Sequence, residues 1–177
     1  MQTIKKVFIA GGTGFLGYHA ALKFLDLGIQ VDTIALENEI EISNWFDSRI
    51  HLSYGNLFTM NESEIYNLLK NKNYDCFIYA LGPDDRYIPK APAYDFFYDR
   101  LVRQCKKICQ AAKRANIQRC VILGSYFATY DKHMNGKLSK YHPYIKARIQ
   151  QEQELIALGK DSLFSVMILE LPYIFGT

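Results

Sequence analysis

The chain has 177 residues, 49% of them hydrophobic, which fits one domain of roughly 100 to 200 residues with a buried core. Its 21 Lys and Arg against 18 Asp and Glu leave a net charge of +3, too small a surplus to point to nucleic acid or an anionic membrane as a partner. Cys76, Cys105, Cys109 and Cys120 form no CxxC pair, and His19, His51, His133 and His142 lack any HxxxH-type spacing, so neither a disulfide framework nor a metal site is expected.

Residues 1–6 run straight into Val7-Phe8-Ile9-Ala10, a stretch too short for a secretory h-region or a membrane span. The expected compartment is the cytoplasm, where the cysteines stay as buried thiols. Residues 6–10 form the first predicted strand. A helix over 14–27 follows, with Phe15, Leu16, Leu22 and Leu25 on its apolar faces and Gly28 as its stop. Strands are predicted over 31–36 and, with weaker patterning, 50–54; a helix follows over 62–70 and a strand over 75–80. From 94 to 115, Leu101, Cys105, Ile108 and Ala112 recur at helical spacing, while Arg100, Arg103, Lys107 and Arg114 form a solvated basic side. A strand over 120–124 precedes a helix opened by Pro143 and closed by Gly159, and the last strand covers 164–171. This alternation of strand and helix predicts βαβ units and an α/β fold with a doubly wound parallel sheet over the whole chain, 1–177.

The first strand and helix are joined by Gly11-Gly12-Thr13-Gly14-Phe15-Leu16-Gly17. Glycines at 11, 14 and 17 permit a tight turn, close approach of a pyrophosphate to bare backbone, and tight packing of helix on strand. The helix N-terminus adds unpaired N–H groups and the positive end of its dipole. Gly11, Thr13, Gly14, Phe15, Leu16 and Gly17 are therefore candidate dinucleotide contacts.

The GGTGFLG spacing resembles the NAD(P)-dependent epimerase/dehydratase family, the extended short-chain dehydrogenases that act on nucleotide sugars and related substrates. Further landmarks fall in that family's order. Tyr54-Gly55-Asn56-Leu57 resembles its G-D-L, with Asn56 in place of the acid that reaches the adenine. Phe77-Ile78-Tyr79-Ala80-Leu81-Gly82 resembles the fourth strand, whose small-residue end lies under the cofactor. Leu169 to Gly176 resembles the segment written R-L-P-N-V-Y-G. The resemblance implies strand order 3-2-1-4-5-6, a nicotinamide dinucleotide as ligand, and contacts from Asn56, Leu57, Ala80, Leu81, Gly82, Pro172 and Tyr173. Whether that ligand is NAD or NADP turns on the end of the second strand, where an acid favours NAD and an arginine NADP. Ala35 and Leu36 occupy that region; Glu37, slightly beyond, inclines the expectation to NAD.

The same resemblance implies a catalytic tyrosine, a lysine four residues later, and a serine or threonine. A free tyrosine, with a pKa of about 10, is a poor base near neutrality. A cation on the same helix face, four residues away, favours the phenolate. In His142-Pro143-Tyr144-Ile145-Lys146-Ala147-Arg148 the pair at that spacing is Tyr144 and Arg148, with arginine in the lysine place. Lys146 lies about 200° around the helix from Tyr144, and His142 precedes a proline, so His142 and Lys146 make a poorer pair. Arginine keeps the charge and can donate to ribose hydroxyls, but cannot join a proton relay. In Gly124-Ser125-Tyr126, Tyr126 aligns with the family's serine or threonine, and Ser125, the small hydroxyl one residue earlier, is the candidate catalytic positioning group beside Tyr144 and Arg148. Leu101 stands where the family carries an asparagine.

Family members continue beyond the R-L-P-N-V-Y-G segment into a substrate-binding lobe, and Thr177 follows that segment directly. Most of that lobe is expected to be missing, leaving the last strand without its usual cover. The expected function is an NAD(P)-dependent oxidoreductase or epimerase/dehydratase acting on a nucleotide sugar or a similar small-molecule hydroxyl or carbonyl substrate. The alternatives are a catalytically impaired dinucleotide-binding sensor or scaffold, and a truncated remnant. The helices over 94–115 and 143–159 are the candidate surfaces for a homo-oligomer.

Overall fold

A computed structural model describes residues 3–36, 45–160 and 163–174. Six parallel strands, β1 (Lys6–Ala10), β2 (Gln30–Ala35), β3 (His51–Tyr54), β4 (Cys76–Tyr79), β5 (Arg119–Ser125) and β6 (Ser165–Leu171), form one sheet in the order β3-β2-β1-β4-β5-β6. The order reverses between β1 and β4, and at such a switch point the loops leaving the two strands part to make a crevice. This is the expected doubly wound Rossmann-type architecture.

The unbroken apolar run of β1 is explained by burial on both sides. Val7 and Ile9 face Ala21 of helix α1 (Phe15–Asp26), with Val31 and Ile78 beside them. Phe8 and Ala10 point the other way, toward Ile65 of α2 (Glu62–Leu69), Ile108 of α4 (Gln104–Arg114) and Leu155 of α6 (Pro143–Leu158). Successive side chains of a strand alternate between faces, so a strand covered on both must be apolar at every position.

Helix ends follow the sequence signals, with one change of cause. Gly28 takes φ +73° after α1, and the amides of Gly28 and Ile29 close the last turn on Leu25 and Phe24. Gly159 also ends its helix, but in an ordinary conformation at φ −88°. It is required because a Cβ there would stand 2.8 Å from Val166 of β6.

Two features depart from expectation. The single helix expected over 94–115 is α3 (Ala93–Phe97), a π-helical stretch (Tyr98–Arg103) and α4. The widened turn carries Leu101 inward, where its Cδ2 would be 2.7 Å from a Cβ on Gly82. The basic side of this run is less solvated than expected. Lys107 donates to the carbonyls of Phe58 and Met60 at 3.0 and 2.7 Å, Arg114 pairs with Glu62 of α2, and the Arg100 guanidinium lies over the Phe58 ring. A short helix α5 (Phe127–His133) leaves β5 directly. All four cysteines are free and buried, with the Cys109 and Cys120 sulfurs 3.7 Å apart. Among the described residues no helix is long and apolar enough to cross a membrane.

Candidate dinucleotide and catalytic site

At the exit of β1 the glycines are fixed by their neighbours. Gly11 has φ +93°, and a Cβ on it would meet the Ala80 carbonyl oxygen at 2.6 Å. A Cβ on Gly17 would stand 2.1 Å from the Gly11 oxygen, so helix and strand meet with no space for a side chain. Gly14 differs: its φ is −78°, and its nearest obstruction is the Gly11 oxygen at 3.3 Å. A Cβ there is tight against that oxygen but needs a smaller shift than one on Gly11 or Gly17. The turn is held from β2 by the buried Thr33, whose Oγ1 donates to the Ile9 carbonyl at 2.6 Å and accepts from the Gly12 amide at 3.0 Å.

Helix α1 begins at Gly14 with no side-chain cap and no acidic residue in its first turn. Helix α2 shows the alternative: Asn61 and Glu64 form a reciprocal capping box over its first amides. The opening amides of α1 have no such partner, and they carry the positive end of the helix dipole. Around this turn lie Thr13, the exposed Phe15 and the half-buried Leu16. Ala80, Leu81 and Gly82 leave β4 beside Gly11, with the Ala80 amide donating to the Ala10 carbonyl at 2.9 Å.

Asn56 spends its Oδ1 on the Phe58 amide at 3.0 Å, which shapes the loop after β3, and Leu57 is buried in the core. Pro172 and Tyr173 follow β6, with Tyr173 packed edge-on against Phe127 and near Tyr126. Glu37 lies outside the described residues.

Tyr144 and Arg148 are brought together on α6. Arg148 Nε donates to Tyr144 Oη at 3.0 Å, and its Nη1 donates to the Leu123 carbonyl at 3.2 Å and to Gln151 Oε1 at 2.8 Å. Tyr144 is buried with Phe97, Leu101, Ile145 and Ala147, the Phe97 ring standing edge-on at 5.5 Å. Lys146 is on another side of the helix, over the ring of Tyr94. Tyr79, at the end of β4, is wholly buried; desolvation pushes its phenol well above the ordinary value, and the nearby Arg148 charge opposes that only in part.

Ser125 is buried, and its Oγ accepts from the Phe127 amide at 3.4 Å, at the start of α5. Tyr126 reaches the mouth of the site instead, stacked on Phe127 with ring centroids 4.5 Å apart and edge-on to Tyr130 and Tyr173 at 5.7 Å. Desolvation first, and then the Tyr173 phenol, push the Tyr126 hydroxyl above its ordinary pKa. Sequence reading missed Thr33 and Gln151, because a hydroxyl in a strand and an amide in a helix carry no spacing signal. The stacked aromatic group was visible only as a composition.

The model of the NAD dependent epimerase/dehydratase family matches residues 7–177. No curated protein matches the sequence. Among solved structures, a reductase engineered for asymmetric catalysis is 16% identical with a TM-score of 0.78, over 98% of this chain and 60% of that one. WbmH of Bordetella bronchiseptica, solved with NAD+, is 20% identical with a TM-score of 0.69, over 95% of this chain and 57% of its own. MoeE5, solved with UDP-glucose and NAD, is 16% identical with a TM-score of 0.65, over 92% of this chain and 52% of its own. The chain thus spans between half and two thirds of the length of these structures. Sheet order, glycine turn and family match agree: this chain belongs to the NAD dependent epimerase/dehydratase family.

Proposed function

We propose that the chain binds NAD, in preference to NADP, across the switch point between β1 and β4, and that Tyr144 and Arg148 serve redox chemistry on the carbinol or carbonyl of a nucleotide sugar or similar small molecule. One observation carries the dinucleotide reading: the uncapped start of α1 lies over Gly14, the least crowded of the three motif glycines. Unpaired amides and a bare Cα suit a pyrophosphate. WbmH and MoeE5, solved with NAD, support the choice of dinucleotide.

When bound, the nicotinamide supplies a hydride acceptor or donor. Tyr144 acts as its phenolate on a substrate hydroxyl, taking that proton as the carbon loses its hydride to the nicotinamide; in the reverse direction the phenol gives the proton to the carbonyl oxygen as the hydride returns to carbon. Arg148 Nε, already on that oxygen at 3.0 Å, stabilises the phenolate form that serves as the base. Arg148 has no proton to give near neutrality, so it serves as a fixed cation and donor. Ser125, whose Oγ accepts from the Phe127 amide and keeps its own O–H to donate, takes the role that a serine or threonine has in the family, with the hydroxyl of the adjacent Tyr126 as the other donor. Homo-oligomers form through the outer faces of α3, α4 and α6.

The test is absorbance at 340 nm with NAD+ and UDP-glucose. Tyr144→Phe is expected to lower turnover by about a hundredfold or more; equal turnover in that variant contradicts the assignment. A sensor or scaffold that binds NAD without turnover is the second reading, favoured by arginine in the lysine place, since Arg148 cannot join a proton relay. Binding of NAD+ with no turnover in the wild type selects it.

A further inference from the structure

Gln151 lies on the same side of α6 as Tyr144 and Arg148, at spacings of seven and three residues. It is buried, and its Oε1 accepts from Arg148 Nη1 at 2.8 Å, while its Nε2 has no hydrogen-bond partner. A methionine or leucine would fill this space without burying an orphan donor. What the amide adds is an acceptor for a guanidinium. The same Nη1 is also held by the Leu123 carbonyl of β5 at 3.2 Å. These two acceptors fix the plane of the guanidinium, because its five N–H groups form a rigid fork. With Nη1 directed to Gln151 and β5, Nε falls on Tyr144 Oη, and Nη2 is left with no hydrogen bond among the described residues.

We propose that Gln151 is a positioning residue, which clamps Arg148 to β5 so that Nε meets the Tyr144 phenol and Nη2 stays open to a ligand. A lysine has one nitrogen and no such plane to hold, so an acceptor at position 151 goes with arginine at 148. The functional meaning of the clamp rests on Tyr144 as the acid/base. The clamp itself can be read without dinucleotide or substrate, so its failure and the failure of the proposed function are separable.

The experiment follows the Nε–H signal of Arg148 by NMR on the uniformly ¹⁵N-labelled chain, assigned by its loss in Arg148→Lys. In the wild type this hydrogen should exchange slowly with water. In Gln151→Met its exchange should be about tenfold faster, the size of one net hydrogen bond, with the amide protection of Leu123 and Ala147 unchanged as a control for global opening. Gln151→Glu keeps the acceptor and adds charge, so it should match or exceed the wild-type protection. Unchanged protection in Gln151→Met overturns the proposal. If Gln151→Met does not fold, the Glu variant decides: protection below the wild type overturns the clamp, and protection at or above it supports it.

Discussion

Gly17 and Gly11 meet so closely that a Cβ on the first would stand 2.1 Å from the carbonyl oxygen of the second, whereas a Cβ on Gly14 has 3.3 Å to the same oxygen. The three motif glycines therefore have different physical causes. Gly17→Ala must push α1 off β1, and urea denaturation should show a loss of about 3 kcal/mol. Gly14→Ala should cost about 1 kcal/mol or less. Equal costs would mean that the contact of Gly17 with Gly11 does not set the helix position.

Thr33 links the turn to the sheet through two hydrogen bonds from one buried hydroxyl. Thr33→Val keeps the volume but leaves the Gly12 amide unpaired and removes the tie from Thr33 to the Ile9 carbonyl. The expected cost is about 2 kcal/mol by denaturation. NAD+ affinity should fall with it, because Gly12 and Thr13 lose their anchor. An isostere as stable as the wild type would show that solvent satisfies the Gly12 amide.

Arg148 serves three acceptors at once, the Tyr144 phenol, the Leu123 carbonyl and the Gln151 amide. Arg148→Met should therefore destabilise by about 3 kcal/mol, against about 1 kcal/mol for Tyr144→Phe, which removes one acceptor. Comparable losses in the two variants would contradict a shared network.

The same comparison shows what could be read from sequence. Gly11, Gly14, Gly17 and the Tyr144 and Arg148 pair are fixed by local spacing, so turn and helix face were legible in the chain. Sheet order followed from the family's pattern. Gln151, Thr33 and the π-helical stretch at Tyr98–Arg103 are set by contacts between distant segments. A run of helical periodicity cannot distinguish an extra residue in one turn. For Ser125, strand alternation says which face a residue takes, and not that α5 starts at once and draws on its hydroxyl oxygen.

Glu152 makes a pH prediction. It is buried on α6, facing Lys132 of α5 at 3.3 Å, with Glu170 of β6 and Arg148 also nearby. Burial raises its pKa, Glu170 adds to the rise, and Lys132 and Arg148 oppose it. Because the folded pKa lies above the unfolded one, the folded state holds the proton more tightly. This contribution to stability is full below the ordinary carboxylate pKa and is lost as pH rises through the raised value. Glu152→Gln should remove that decline, so thermal melts of variant and wild type should diverge toward neutral pH, with the variant the more stable. Parallel melting curves across that range would contradict the shift.

The most direct test of the central claim is calorimetric titration of the 177-residue chain with NAD+, beside Gly14→Val. On Gly14 a Cβ meets one atom, the Gly11 carbonyl oxygen at a tight 3.3 Å; a small local shift accommodates it, and the side chain then stands where a bound pyrophosphate would approach. Saturable heat from the wild type, with affinity at least about tenfold weaker in the variant, is the predicted result. No binding by the folded wild type, or equal binding by both proteins, would contradict it.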